Sequence, residues 1–307
     1  MSTTNNNLED SNHVMCCAGC CIKEDDDINL RKCTACKSVR YCSVKCQRDH
    51  WPDLKEECKR AAGLRDVILF KQPKSSHLGD CPICLVPLSI DLAESTMVSC
   101  CSKLICNGCS YANEKRVIEG SLQPMCPFCR HPTPRLDEEI KINHLKRIEA
   151  NDAFAMNQMG MHCNKEGDYK NAIAYCTKAA ILGDVTAHYN LSLMYHKGHG
   201  VAKDEKNEVY HLEEAAIGGH PLARNNLAVF EGGNKGRIDR AVKHFMIAAN
   251  QGYGGSLDAL KMLYKEKGLV RKEDFAKVLR AHHAALNATK SPQREDAASV
   301  GFCGSTF

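Results

Sequence analysis

Aromatic residues make up only 6% of the 307-residue chain, and there is a single tryptophan. Stacking platforms for single-stranded nucleic acid are therefore poorly supplied. Charge of one sign is also missing: 41 Lys and Arg against 37 Asp and Glu give a formal +4. A nucleic-acid partner usually calls for a concentrated basic face, so none is expected. No apolar run approaches the roughly 20 residues of a membrane span. Residues 1–15 (MSTTNNNLEDSNHVM) lack the basic start and apolar core of a secretory signal. Walker loop, dinucleotide glycine fingerprint and nucleophile elbow are all absent. These gaps point away from a membrane partner and from an enzyme with active-site chemistry of its own. They point towards a protein of the cytosol or nucleus.

Cysteine is the counterweight. Seventeen of the 20 cysteines lie between Cys16 and Cys129, leaving Cys163, Cys176 and Cys303 beyond. In a reducing compartment, thiols clustered in this way bind metal more often than they form disulfides. The expected fold is multidomain: two small zinc-stabilised cross-brace modules followed by an all-α helix–turn–helix repeat solenoid. The boundaries read as a disordered tail at 1–15, a first zinc module at 16–58 and a helix and linker at 59–80. A second zinc module at 81–130 follows, then a connecting helix at 131–151, repeats at 152–287 and a flexible tail at 288–307.

Residues 81–129 carry the most chemistry. They hold Cys81-Pro-Ile-Cys84, the Cys100-Cys101 pair, Cys106-Asn-Gly-Cys109 and Cys126-Pro-Phe-Cys129. C-x2-C spacing lets two thiolates from one turn reach a tetrahedral zinc, and eight thiols suffice for two closed structural sites. The order of pairs resembles the RING finger. That resemblance implies one zinc on Cys81, Cys84, Cys106 and Cys109 and another on Cys100, Cys101, Cys126 and Cys129. The family's usual histidine falls at Lys103, which cannot ligate while protonated; adjacent Cys100 and Cys101 are the obvious replacement.

The first module contains Cys17-Ala-Gly-Cys20, Cys33-Thr-Ala-Cys36, Tyr41-Cys42-Ser-Val-Lys-Cys46-Gln47, Trp51 and Cys58. This pattern resembles the MYND finger. The resemblance implies zinc on Cys17, Cys20, Cys42 and Cys46, and a second ion on Cys33, Cys36, a histidine and Cys58. The family's histidine position is Leu54 here. His50 could substitute if Trp51-Pro52 breaks the helix, and Cys16 or Cys21 could supply a thiol instead. Zinc, structural and up to four ions, is the cofactor expected.

From about Asp152 an internal repeat appears, with offsets of 36 and 33 residues. Ala155, Ala187, Ala223 and Ser256 open the unit; Met159, Leu191, Leu227 and Leu260 follow four residues later. Gly160, Ser192, Ala228 and Lys261 come next, and Cys163, Tyr195, Glu231 and Tyr264 close it. Ala-Ala pairs at 179–180, 215–216 and 248–249 are each followed by a glycine, Gly183, Gly219 and Gly252. The unit Ala187–Tyr195, Gly198-His-Gly200-Val201 and Ala215-Ala216-x2-Gly219 resembles the Sel-1-like repeat, a relative of the TPR. It implies a concave surface that binds protein. Cys163 and Cys176 read as small buried hydrophobes, and His282-His283 as packing or surface residues.

The RING resemblance also implies a function without a catalytic residue. Such a module binds a ubiquitin-conjugating enzyme charged with ubiquitin and holds it ready for reaction. The matching contact positions are Ile83, Pro127 and Arg130. The leading expectation is a ubiquitin-ligase-like adaptor whose repeats recruit substrate. The alternative is a non-enzymatic zinc-finger scaffold or transcriptional co-regulator that binds peptides through the MYND finger and repeats.

Overall fold

The computed structural model describes residues 30–32, 40–134 and 136–302, and the chain divides into two units, 1–69 and 70–307. In the first unit, strands β1 (Arg31–Lys32) and β2 (Arg40–Tyr41) pair antiparallel, Arg31 opposite Tyr41. Helix α1 (Val44–Leu69) follows. Its backbone runs unbroken through Pro52, so the break that would have brought His50 towards Cys58 does not form. The readings placed on residues 1–15 and on Cys17, Cys20, Cys33 and Cys36 lie outside the described residues, as do the side chains of His50, Leu54 and Cys58.

The second unit begins with a segment that the sequence reads as a linker but that packs on the repeats. Its ordering comes from specific contacts. The Phe70 ring lies 4.6 Å from that of His244, with the Arg240 guanidinium 4.7 Å away. The His77 N–H donates to Gly219 O at 3.3 Å, and its ring stacks on His220 at 4.2 Å.

The cysteine-rich module comes next. Strands β3 (Ser95–Val98) and β4 (Lys103–Cys106) form an antiparallel hairpin in which Ser95 faces Cys106 and Val98 faces Lys103. Helix α2 (Asn107–Glu119) starts at once, with Cys106 Sγ accepting from Cys109 N–H in the capping position. Buried Asn107 ties the helix start to the strand side, donating to Ala93 O at 2.8 Å and accepting from Thr96 Oγ1 at 3.0 Å.

Helix α3 (Asp137–Glu149) joins this module to the repeats. Its buried face is Ile140, Asn143 and His144, with Asn143 donating to Ser99 Oγ at 3.2 Å. Leu145, on the same helix, is 42% exposed. The inner face carries a polar anchor to the zinc module.

Eight helices then stack in pairs: α4 (Ala153–Glu166), α5 (Tyr169–Ile181), α6 (Val185–Lys197), α7 (Glu205–Ile217), α8 (Pro221–Val229), α9 (Ile238–Asn250), α10 (Gly254–Lys267) and α11 (Lys272–Ala288). Asp152, Asp168, Asp184 and Asp204 cap α4 to α7, each carboxylate accepting a backbone N–H of the first turn. The repeated small positions allow close helix approach: Ala155, Ala187, Ala223 and Ser256 are all fully buried. Gly183, Gly219 and Gly252 share a left-handed φ near +90°, which turns the chain into the next pair. At the closing position of the third unit, Glu231 is buried because Arg237 and Arg240 both pair with its carboxylate. Cys163 and Cys176 lie in the core of the first pair, and His282 is buried with Nδ1 2.9 Å from Ala249 O.

The flexible tail expected at 288–307 is corrected over its described part. Ser291 caps helix α12 (Pro292–Ser299), which packs on α2 and buries Ala297. Proline at the first helical position and a serine cap before it are start signals that a short polar segment can carry.

Candidate metal centres

The cysteine-rich module is built on two turns of identical design. In Cys81-Pro-Ile-Cys84, the Leu85 N–H returns to Cys81 O at 2.8 Å and the Cys81 N–H reaches Val86 O at 3.0 Å. In Cys126-Pro-Phe-Cys129, the Arg130 N–H returns to Cys126 O at 3.1 Å and the Cys126 N–H reaches His131 O at 2.8 Å. Leu85 and Arg130 occupy the same position and both adopt positive φ, 57° and 58°. This backbone aims both thiols of each pair at one point.

The structure brings together Cys81, Cys84, Cys106 and Cys109, and separately Cys100, Cys101, Cys126 and Cys129. Within each group all sulfurs lie within 4.8 Å of one another. Cys84 and Cys106 are 3.8 Å apart, as are Cys101 and Cys126, while Cys129 and Cys100 are 3.5 Å apart. Tetrahedral zinc with ~2.3 Å bonds sets its sulfurs about 3.8 Å apart, so the spacing fits the ion. The neighbouring Cys100 and Cys101 reach one point because they sit in the tight β3–β4 turn, closed by the Cys101 N–H to Val98 O at 3.2 Å. Ser102 takes up the strain of that turn at φ 51°. Lys103 stands outside the cluster, its amino group 4.8 Å from the centre of the Phe128 ring.

The electrostatics of the thiols also call for a cation. Burial pushes Cys101 up to about 11 and raises Cys100 and Cys109, with neighbouring thiols adding to each rise; burial also raises Cys106, against hydrogen bonds from Cys109. Cys129 falls to about 7 because the His131 N–H stabilises its thiolate. Cys84 also falls to about 7: burial opposes ionisation there, and hydrogen bonds from the Val86 N–H and Arg294 outweigh it. Each cluster thus holds one thiol that ionises near neutrality beside two that resist it, Cys106 and Cys109 in the first and Cys100 and Cys101 in the second. A dication at the centre removes that conflict. These residues fit structural zinc, and no coordination position is left for substrate.

In the first unit, Cys42, just before α1, and Cys46, in its first turn, have their sulfurs 3.5 Å apart. They are the described part of the MYND-like ligand set.

Two residues that bear on these centres escaped the sequence reading. Arg294 reaches the first site from α12. Phe302 lines a cavity of about 260 Å³ between α2 and the second cysteine turn, beside Val117, Pro124 and Met125. Among the described residues the aromatic ring lining this cavity comes from Phe302, which follows α12 in the chain. Only the Ser291-Pro292 start signal marks this segment as structured.

Fold and centres together define a zinc-finger protein with a helical-repeat domain, an architecture of the protein-interaction kind. The MYND finger family model matches residues 15–58. Over 30 residues, 10% of this chain, it is 53% identical to the human (Homo sapiens) histone-lysine N-methyltransferase SMYD3, covering 7% of that protein. Over 61 residues, 19% of this chain, it is 33% identical to ORF96 of Ostreid herpesvirus 1 (isolate France), named for a RING finger, covering 25% of it. The chain therefore spans a quarter or less of these relatives' length. Among solved structures, a Sel1 repeat protein from Oxalobacter formigenes is similar at 27% identity and a TM-score of 0.42, over 49% of this chain and 64% of that one. A protective antigen of uropathogenic Escherichia coli displaying an SLR fold is similar at 25% identity and a TM-score of 0.40, over 49% and 33%. Among the described residues, no helix is long and apolar enough to cross a membrane.

Proposed function

We propose that the second cysteine-rich module acts as a RING-type finger that positions a charged ubiquitin-conjugating enzyme while the helical repeats recruit the protein to be modified. The observation that carries this reading is the interleaving of the two clusters. The first and third cysteine pairs share one centre, and the second and fourth share the other. This cross-brace fixes two exposed loops on a small rigid body. Ile83, in the first loop, is 43% exposed although it lies between two ligands. Pro127 and Arg130, in the second loop, are also exposed. An apolar contact, a rigid proline and a permanent cation are what the family uses to hold its partner. The similarity to a viral RING-named protein supports the reading.

Chemically the module would contribute positioning and orientation, with the reacting thioester carried by the partner. Its own residues bind and orient; none donates or accepts a proton in the transfer. The MYND-type finger and the repeats would provide separate protein-docking surfaces. Zinc at both centres would be structural, held by the eight cysteines named above.

Binding of the full-length, zinc-loaded protein to a panel of conjugating enzymes tests the proposal. Ile83→Ala removes an exposed apolar side chain next to Cys84 and should weaken binding of the cognate enzyme roughly 10-fold or more, as for a central interface contact. Zinc content should not change. Equal affinity of Ile83→Ala and wild type, or binding of no enzyme at all, would leave the two fingers as docking modules of a non-enzymatic scaffold.

A further inference from the structure

The two cysteine turns of this module share one backbone design, and among the described residues α12 hydrogen-bonds to the first of them. Asp80–Pro87 and Met125–Pro132 share the same backbone hydrogen bonds and end in the same isolated bridge pairing. In the second turn, Pro132 O lies 2.9 Å from the ring nitrogen of its neighbour His131. In the first, the equivalent carbonyls are taken by a residue more than 200 positions away. Arg294 Nη1 donates to Pro87 O at 2.6 Å and Nη2 donates to Val86 O at 2.9 Å. The same Nη2 lies 3.7 Å from Cys84 Sγ.

The rest of α12 is fitted to this contact. Arg294 also donates to Thr289 O at 2.7 Å, which fixes its guanidinium against the start of its own helix. Where α12 begins, its backbone runs against Gly108, between the ligands Cys106 and Cys109. A Cβ at Gly108 would stand 2.7 Å from Arg294 N and 2.8 Å from Gln293 C, so glycine is required there. At the other end, Phe302 packs on Tyr111 of α2 with ring centroids 5.4 Å apart.

We propose that α12 is a clasp that holds the first four-cysteine centre closed, with Arg294 as its outer cation and positioning residue. A dication bound by four thiolates carries a net negative charge, and a guanidinium beside one sulfur offsets it without competing for the metal. Its fork also fixes the Cys84–Pro87 loop by two carbonyls at once. The second centre, which Arg294 does not contact, is the internal control. The inference rests on the zinc centres and holds whether or not the module engages a conjugating enzyme.

Zinc release from the full-length protein to a chromogenic chelator tests it, with native mass spectrometry counting bound ions. Protection of Cys84 and of Cys129 against alkylation identifies the centre that opens. Arg294→Ala should release the ion of the first centre roughly 10-fold faster, with Cys84 exposed early and Cys129 unchanged, in line with loss of a supporting partner. Gly108→Ala should do the same by displacing α12. Arg294→Lys, which keeps charge but loses the fork, should fall between; it also reads the clasp if the alanine variant does not fold. Wild-type release from all folded variants would overturn the proposal. So would equal acceleration at both centres, which would mark α12 as a general stabiliser.

Discussion

Gly160 shows how tightly single residues are constrained in the repeats. A Cβ built there would lie 2.6 Å from Cys176 Sγ and 3.1 Å from Ala172 O, both on the facing helix α5. Gly160→Ala should therefore destabilise the repeats by about 1–3 kcal/mol, the usual cost of overpacking a close-packed core, measurable by urea unfolding followed through helical circular dichroism. A loss below 0.5 kcal/mol would mean that α4 and α5 move apart freely. This contact was partly legible: alignment of the repeats places Gly160 with Ser192 and Ala228 at a small-residue position. Which side chain makes the site small was not, because Cys176 reaches it from the facing helix across 16 residues of sequence. The thiols of the second module were the most legible residues, since paired cysteines with two residues between them have little other use in a reducing compartment. The roles of Arg294 and Phe302 were invisible, as an arginine and a phenylalanine near a chain end carry no pattern that specifies a partner 200 residues away.

At the scale of elements, the segment 70–80 shows where composition misleads. Its Pro, Ser and Gly read as a linker, yet Phe70 and His77 anchor it to the repeats through ring contacts that no periodicity encodes. Those contacts hold histidines in their neutral form. Burial lowers His77 to about 4, with the Gly219 hydrogen bond opposing the shift only in part. Burial lowers His244 to about 3, with Arg224 and Arg240 adding repulsion. Burial and the neighbouring His77 also hold His220 well below its ordinary value. In the unfolded chain each titrates near its usual 6.5. Below that pH the unfolded state binds protons that the folded state refuses, so stability is full above about 6.5 and is lost as pH falls towards 4. The cost approaches ~1.4 kcal/mol per pH unit for each group. Acid also discharges thiolate zinc sites, so the comparison must be made between variants. Wild type should lose about 1–2 kcal/mol more than His77→Gln between pH 6.5 and pH 5 in urea unfolding. Parallel pH profiles would contradict the packing of this segment. Helix α1 gives the opposite lesson: a break at Trp51-Pro52 was the condition for His50 to replace the missing ligand, and the backbone of α1 runs on through Pro52.

For the whole molecule, the architecture was largely legible because two strong signals follow one another along the chain. Paired cysteines dominate to Cys129, and a helical repeat of small and apolar residues runs from Asp152. Their separateness was overstated. The second zinc module falls in the same compact unit as the repeats, joined by Asn143 to Ser99 on one side and by Arg294 to Val86 and Pro87 on the other. A sequence reading treats modules as beads because composition changes at their boundaries, whereas these joints rest on a few polar side chains. The consequence bears on the proposed function. A finger fixed to the solenoid would hold its exposed Ile83, Pro127 and Arg130 in a set relation to whatever the repeats carry, and positioning of that kind lowers the entropic part of a transfer barrier.

Ubiquitin discharge from charged conjugating enzymes by the full-length, zinc-loaded protein, with Arg130→Ala alongside, tests this account most directly. Arg130 is exposed and lies just after the last cysteine, and the left-handed backbone of the second turn sets its direction. The account predicts that at least one enzyme is discharged faster in the presence of the protein. Arg130→Ala should lose roughly 10-fold or more of that acceleration, the scale expected for a lost orienting contact, while binding its full zinc. Protein that holds all its zinc yet accelerates no enzyme, or full acceleration by Arg130→Ala, would contradict it.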